Sequence, residues 1–136
     1  MKSILIIEDD RYLTRTLANI LKLEGYNPLS AHDVESAMLK LRSHYPDLIL
    51  CDIALGRDNG YKFLRKLRKS PLYRNIPFIF VSGKVKAQEV MHGLKSGADD
   101  YITKPFEYIS FVDKVRSQLE RVCNTTSGFP YKLSNT

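Results

Sequence analysis

The chain is short of cysteine, with two in 136 residues, and it has no long apolar run. Cys51 and Cys123 are too few for the disulfide framework of a small secreted domain. Cys51 lies inside an apolar stretch and reads as a small buried hydrophobe. Both points fit a reducing, cytoplasmic setting. The apolar runs are only a few residues long, against about 20 for a membrane-spanning helix, so no transmembrane span is expected. Glu8, Asp9 and Asp10 interrupt the start of the chain, so no basic-plus-apolar signal peptide is expected there. The same three acids stand where a nucleotide-binding oxidoreductase needs a glycine-rich turn, and they would repel a pyrophosphate. Neither helix-turn-helix nor zinc-finger spacing is present.

What is present is enough apolar material for a core, 43% of residues, at a length that suits one domain. The net charge is +6, and Lys62, Arg65, Lys66, Arg68 and Lys69 cluster in one short stretch. Phe63 is the only aromatic among them and fits an apolar face, so this reads as a solvated basic face rather than a sequence-specific nucleic-acid interface.

Short apolar runs alternate with amphipathic stretches. A strand is expected over 3–8, then a helix over 10–23 with Leu13, Leu17, Ile20 and Leu21 on one side and Gly25 ending it. Asp10 can cap that helix. Tyr26 to Ser30 reads as a second strand, and Pro28 places it at a sheet edge. Asp33 can cap a helix to about Ser43, with Val34, Ala37 and Leu41 inward. The third strand is Leu48–Asp52, followed by a loop from Gly56 to Gly60 and a helix over 60–69 around Phe63, Leu64 and Leu67. Phe78-Ile79-Phe80-Val81 is a fourth strand, and a helix over 86–96 is expected to turn Val90, Met91 and Leu94 inward. Tyr101–Thr103 is a fifth strand; a last helix over 107–122 places Ile109, Val112, Val115, Leu119 and Val122 on one side. Residues 1–122 thus form the domain, and 123–136, rich in Asn, Thr, Ser, Gly and Pro, read as a linker-like or disordered tail. Five strand–helix units in strict alternation predict an α/β, three-layer sandwich with a parallel sheet, in the flavodoxin-like (βα)5 order 2-1-3-4-5. Sites in such sheets lie at the carboxyl ends of strands, where Glu8, Asp9, Asp52, Ser82 and Lys104 all fall.

Taken singly, each of these residues has a plainer reading: a loop acid, a helix cap, a turn. Together, at strand ends and in order, they make a site for a divalent cation and a phosphoryl group. The blocks Ile4-Leu5-Ile6-Ile7-Glu8-Asp9-Asp10, Asp47-Leu48-Ile49-Leu50-Cys51-Asp52 with Gly60 beyond, Ile76-Pro77-Phe78-Ile79-Phe80-Val81-Ser82-Gly83, and Gly97-Ala98-Asp99-Asp100-Tyr101-Ile102-Thr103-Lys104-Pro105-Phe106 carry the pattern. In this the chain resembles the receiver domain of two-component response regulators, from residue 2 to about 122.

The resemblance implies that Asp52 takes a phosphoryl group from a histidine kinase or a histidine phosphotransfer protein. It implies Mg2+ held by Asp9, Asp52 and the backbone carbonyl of Ala54, with Glu8 acting mainly through metal-bound water. Lys104 would contact the phosphoryl oxygens, aimed by a cis Lys104-Pro105 bond. Ser82 and Tyr101 would form the switch, with Tyr101 turning inward as the Ser82 loop moves toward the phosphate. Such a domain is no enzyme beyond its own phosphorylation and dephosphorylation. An output domain beyond residue 136 and a weak homodimer through the fourth helix, fifth strand and fifth helix are possible partners; Asp100, Lys114 and Arg121 could serve that face. No specific nucleic-acid binding by this domain alone is expected.

The sequence departs from the family pattern at Leu55-Gly56, where Met-Pro is common, and at Val90 and Ser110, where a charged pair is usual in receivers joined to winged-helix domains. Ala54 and Lys84 occupy positions that tune self-dephosphorylation in the family. A haloacid-dehalogenase-type phosphatase would need an acid at position 54, and a serine-hydrolase elbow a glycine where Phe80 stands. The remaining alternative is a receiver-like interaction module that is not phosphorylated in use.

Overall fold

Ten main elements alternate along the chain: β1 (Ser3–Ile7), α1 (Arg11–Leu23), β2 (Asn27–Ala31), α2 (Val34–Ser43), β3 (Leu48–Cys51), α3 (Gly60–Lys69), β4 (Phe78–Ser82), α4 (Ala87–Lys95), β5 (Asp100–Thr103) and α5 (Tyr108–Ser127). The computed structural model describes residues 1–127, with side chains as far as Arg121. The strands form one parallel sheet in the order β2-β1-β3-β4-β5, as the alternation predicts.

The strand period of two divides the core into two layers. Leu5, Ile7, Ile49, Cys51, Phe78 and Phe80 face α2 and α3, where Ala37, Leu41, Phe63, Leu64 and Leu67 meet them. Ile4, Ile6, Leu48, Leu50, Ile79 and Val81 face α1 and α5, against Leu17, Leu21, Phe111, Val112, Val115 and Leu119. β1, β3 and β4 are therefore covered on both faces, which is why their sequences are continuously apolar rather than alternating. Each fully buried side chain of this kind stabilises the fold by roughly 1.5–3 kcal/mol.

Local signals set the helix starts. Asp10 accepts from the amides of Tyr12 (2.9 Å) and Leu13 (3.2 Å) at the start of α1. Asp33 and Ser36 form a capping box on α2. Asn59 accepts from the Tyr61 amide on α3. Gly25, at φ +88°, takes the left-handed turn that ends α1.

Three expectations need correction. Met91 (52% exposed) and Leu94 (37%) on α4, and Ile109 (73%) on α5, face outward. Gly93 on α4 and Phe111 on α5 are buried instead, while Val90, Val112, Val115 and Leu119 pack inward as expected. The segment read as a loop at 56–60 contains a small antiparallel ladder, Ala54–Leu55 with Asp58–Asn59, turning at Gly56 with φ +63°. Finally, α5 continues to Ser127, past the boundary expected at 122. The rest of the expected tail, and any side-chain contact of Val122, lie outside the described residues.

Candidate functional site

Glu8, Asp52 and Lys104 each follow the last residue of a strand, β1, β3 and β5. The parallel sheet brings those ends to one edge. There Lys104 Nζ donates to Glu8 Oε1 at 2.9 Å and to Asp52 Oδ2 at 3.0 Å. Glu8 and Asp52 are buried, and Asp9 is exposed at the rim. One carboxylate oxygen from each of Glu8, Asp9 and Asp52 lies within 4.8 Å of the others. Glu8 Oε2 also accepts from the Asp10 amide at 3.1 Å.

Burial pushes the Glu8 carboxyl above the usual carboxylate range, against the pull of Lys104 and the Asp10 amide, and the Asp52 charge adds to the rise. Burial alone would lower Lys104. Its hydrogen bonds to Glu8 and Asp52 outweigh that, and its pKa is held above the ordinary lysine value. Three carboxylates and one ammonium leave two formal negative charges at one spot. The donors are all hard oxygens, so the charge and the chemistry both suit a small divalent cation such as Mg2+.

The backbone behind Asp52 depends on Gly60. A Cβ there would fall inside contact distance of the Asp52 carbonyl oxygen and 2.9 Å from Ile53 Cα. Without a side chain, the first residue of α3 sits against the strand end, and its amide donates to the Ile53 carbonyl at 2.7 Å. Ala54 is exposed and pairs with Asn59 in the ladder. The Ala54 amide reaches back to Asp52 Oδ1 at 3.4 Å.

Ser82 ends β4, between β3 and β5, and is buried. Its Oγ accepts from the Lys84 amide at 3.2 Å. Tyr101 is buried as well, and its hydroxyl donates to the Lys84 carbonyl at 2.7 Å. The ring is thus already inward, lying over Phe80 with centroids 6.1 Å apart. Room for it comes from Gly93: a Cβ there would approach the Tyr101 ring to 3.1 Å. Lys104-Pro105 is cis.

Sequence reasoning missed Gly93, although a glycine inside a helical pattern is itself a signal of close packing. It also missed the clasp at the opposite end of the sheet. Arg68 donates to the carbonyls of Ile76 (2.7 Å), Arg74 (3.0 Å) and Gly97 (3.1 Å) and pairs with Asp99 at 3.0 Å, while Asp99 accepts from the Phe78 amide. On the face suggested for dimerisation, Lys114 donates to the Tyr101 carbonyl at 2.7 Å and lies 3.6 Å from Asp100; Arg121 pairs with Asp99.

Residues 4–116 match the family described as the response regulator receiver domain. The chain belongs to this family. The receiver domain is 32% identical over 121 residues to the phosphate regulon transcriptional regulatory protein PhoB of Escherichia coli, covering 89% of this chain and 53% of that protein. It is 37% identical to the response regulator ArlR of Staphylococcus aureus, covering 89% and 54%. The chain therefore spans about half the length of the curated relatives it matches. Among solved structures, the signal receiver domain of a signal transduction histidine kinase from Syntrophus aciditrophicus superposes with a TM-score of 0.82 at 32% identity, covering 90% of this chain and 92% of that one. The receiver domain of the Francisella response regulator 1452 gives 0.83 at 27%, covering 90% and 99%. Among the described residues, no helix of the receiver domain is long and apolar enough to cross a membrane.

Proposed function

We propose that this receiver domain accepts a phosphoryl group on Asp52 from the phosphohistidine of a kinase or phosphotransfer protein. The observation that carries the reading is the Lys104 ammonium shared by Glu8 and Asp52 beside the converging carboxylate of Asp9. Asp9, Asp52 and the Ala54 carbonyl would hold Mg2+, with Glu8 acting chiefly through bound water. When bound, the ion offsets the charge between the carboxylates and the incoming phosphoryl oxygens.

The remaining work falls to the chain's own residues. An Asp52 carboxylate oxygen bonds to phosphorus as the phosphorus–nitrogen bond of the donor breaks, and the electron pair leaves with the imidazole. Lys104, released from Asp52, turns its ammonium to the phosphoryl oxygens. Such transfer rests mainly on positioning and charge stabilisation.

The Ser82 hydroxyl then donates to a phosphoryl oxygen. Ser82 Oγ and the Tyr101 hydroxyl both hold the backbone of Lys84, one through its amide and one through its carbonyl. A move of Ser82 therefore reaches Tyr101 through one residue, and with it the surface of α4, β5 and α5. The outputs we assign are a cytoplasmic two-component pathway, an effector domain beyond residue 136, and weak self-association through that surface.

Incubation with a small phosphodonor and Mg2+ is expected to add one phosphoryl group by intact mass. Asp52→Asn abolishes the addition, and Asp9→Ala reduces it strongly together with the Mg2+-dependent rise in Tm. Full labelling of the Asp52→Asn variant would place the acceptor elsewhere.

A further inference from the structure

α3 starts with Gly60 packed on Asp52 and ends at Lys69, about 14 Å of helix farther from the edge that carries Asp52. There the turn after α3 meets the turn after α2. The Tyr45 hydroxyl donates to the Leu72 carbonyl at 3.0 Å, and the Tyr45 ring lies 6.2 Å from that of buried Tyr73. This junction presents apolar surface to solvent: Leu72 is 63% exposed, Tyr45 is 56% exposed, and Pro71 is exposed beside Leu72. The turn that carries Leu72 is held from within. The Leu72 amide donates to Ser70 Oγ (3.3 Å) and the Arg74 amide to the Ser70 carbonyl (2.9 Å), while Arg68 donates to the Arg74 carbonyl (3.0 Å). Pro71 has no N–H. The backbone polar groups of Leu72 and Arg74 are thus all satisfied by the protein itself.

Cations flank the junction. Lys62, Arg65 and Lys69 lie at i, i+3 and i+7, on the side of α3 opposite the buried Phe63, Leu64 and Leu67. Lys69 stands three residues before Leu72, and Arg74 two after it. All four are exposed, and none holds an ion pair or a side-chain hydrogen bond among the described residues. Lys62 sits in the first turn, where the helix dipole disfavours a cation, so the ridge does not serve the stability of α3. Arg42, Arg57 and Lys66 are not part of it; they line the α2–α3 groove with Asp9, Asp33, Glu35 and Asp58. No acid occurs between Asn59 and Gln88. Asp47, two residues past Tyr45, accepts from the Ser3 amide at 2.8 Å. Asp99, the partner of Arg68, is also paired with Arg121.

We infer that this end of the receiver domain docks on an anionic lipid bilayer. Pro71 and Leu72 enter the boundary between headgroups and acyl chains, and Tyr45 lies at that boundary. Lys62, Arg65, Lys69 and Arg74 meet the lipid phosphates. Two features favour a bilayer over a nucleic acid. A phosphate backbone would engage the cations but leave Leu72 and Pro71 in water, whereas a bilayer covers both. A bilayer also demands what this turn already has, backbone groups satisfied where water is scarce. With one short apolar tip and a few cations, the contact is weak and reversible. Asp52 lies at the other end of α3, so docking leaves it accessible and does not depend on phosphorylation.

The test is sedimentation of the whole chain with vesicles of phosphatidylglycerol mixed into phosphatidylcholine, against vesicles of phosphatidylcholine alone. Expected is binding to the anionic vesicles only, falling as salt is added. Arg65→Gln with Lys69→Gln weakens it at least about tenfold. Leu72→Ser weakens it several-fold without changing the salt dependence. These changes fall on exposed side chains, and circular dichroism and Tm confirm that the variants fold; Leu72→Ala is the second apolar variant. With 15N-labelled chain, spin-labelled lipid in the vesicles should broaden the amides of 62–74 before those of 8–10 and 52–54. No binding to the anionic vesicles, equal binding to phosphatidylcholine, unchanged binding of the Leu72 variants, or broadening centred elsewhere overturns the inference. Preferential capture by duplex DNA in competition at physiological salt also overturns it and assigns the ridge to nucleic acid.

Discussion

α3 and α4 cover the same layer of the sheet, yet α3 buries Gly60, Phe63, Leu64 and Leu67, while α4 buries only Gly93. α3 begins with a side-chain cap from Asn59; α4 begins at Lys86 with none. α4 is held instead by a few contacts: Gly93 under the Tyr101 ring, and His92 against Tyr61 with centroids 4.6 Å apart. The helix next to the carboxylates is thus fixed by packing, and the helix next to Ser82 and Tyr101 is held by groups that can be exchanged. A site that must position charge needs the first kind of support. A surface that must change with that charge needs the second.

Side-chain truncation should separate the two helices most sharply. Phe63→Ala removes a fully buried ring from α3 and is expected to cost about 3–5 kcal/mol of unfolding free energy. Met91→Ala removes an exposed side chain of α4 and should fall within about 0.5 kcal/mol of the wild type. Denaturant titrations of both variants check this. A large loss in Met91→Ala would mean that α4 is packed as firmly as α3.

Gly60 and Gly93, both buried, give a smaller but more local contrast. In Gly60→Ala the new methyl meets backbone, the Asp52 carbonyl and Ile53 Cα, which cannot easily give way. The expected cost is about 3 kcal/mol, with weaker phosphoryl uptake because Asp52 is displaced. In Gly93→Ala the methyl meets ring edges of Tyr101 and Phe80. The Tyr101 ring can swing outward, and the gain in helix propensity, about 1 kcal/mol, offsets much of the strain. Uptake on Asp52 should persist while the Tyr101 ring resonances shift and its hydroxyl leaves the Lys84 carbonyl. Unchanged Tyr101 resonances would show that Gly93 does not gate the ring.

The same contrast explains what was legible in the sequence. β1, β3 and β4 are buried on both faces, so apolar runs marked them, and the charges just beyond β1, β3 and the shorter β5 marked the edge where Glu8, Asp52 and Lys104 meet. Asp10 and Asp33 were readable as caps because capping depends on neighbours in sequence. On α4 the expectation holds at Val90 and fails at Met91 and Leu94, because the fully buried position is Gly93, whose reason lies in Tyr101, eight residues on and in another element. Ile109 misled for a related cause, since Phe111 takes the inward place at the start of α5. The shared Lys104 ammonium could be expected as proximity, but its division between Glu8 and Asp52 is a property of side-chain geometry.

The smallest effect should come from the missing cap of α4. Lys86 has the extended backbone of an N-cap residue, φ −64° and ψ 141°, so a capping side chain fits there without rearrangement. Its carbonyl already accepts from the Glu89 amide (2.9 Å) and the Val90 amide (3.1 Å), so the first turn is formed and lacks only a side-chain acceptor. Aspartate at this position would supply one and would place a negative charge at the positive end of the helix dipole, where lysine now opposes it. Lys86→Asp is therefore expected to stabilise the α4 turn by about 1 kcal/mol. With α4 opening on its own, the gain would appear as several-fold slower amide hydrogen exchange within 87–95, with little change in α3 or in the denaturant midpoint. Equal slowing in α3 would mean that the two helices open as one unit, and the division between a fixed chemical side and a loosely held readout helix would fail.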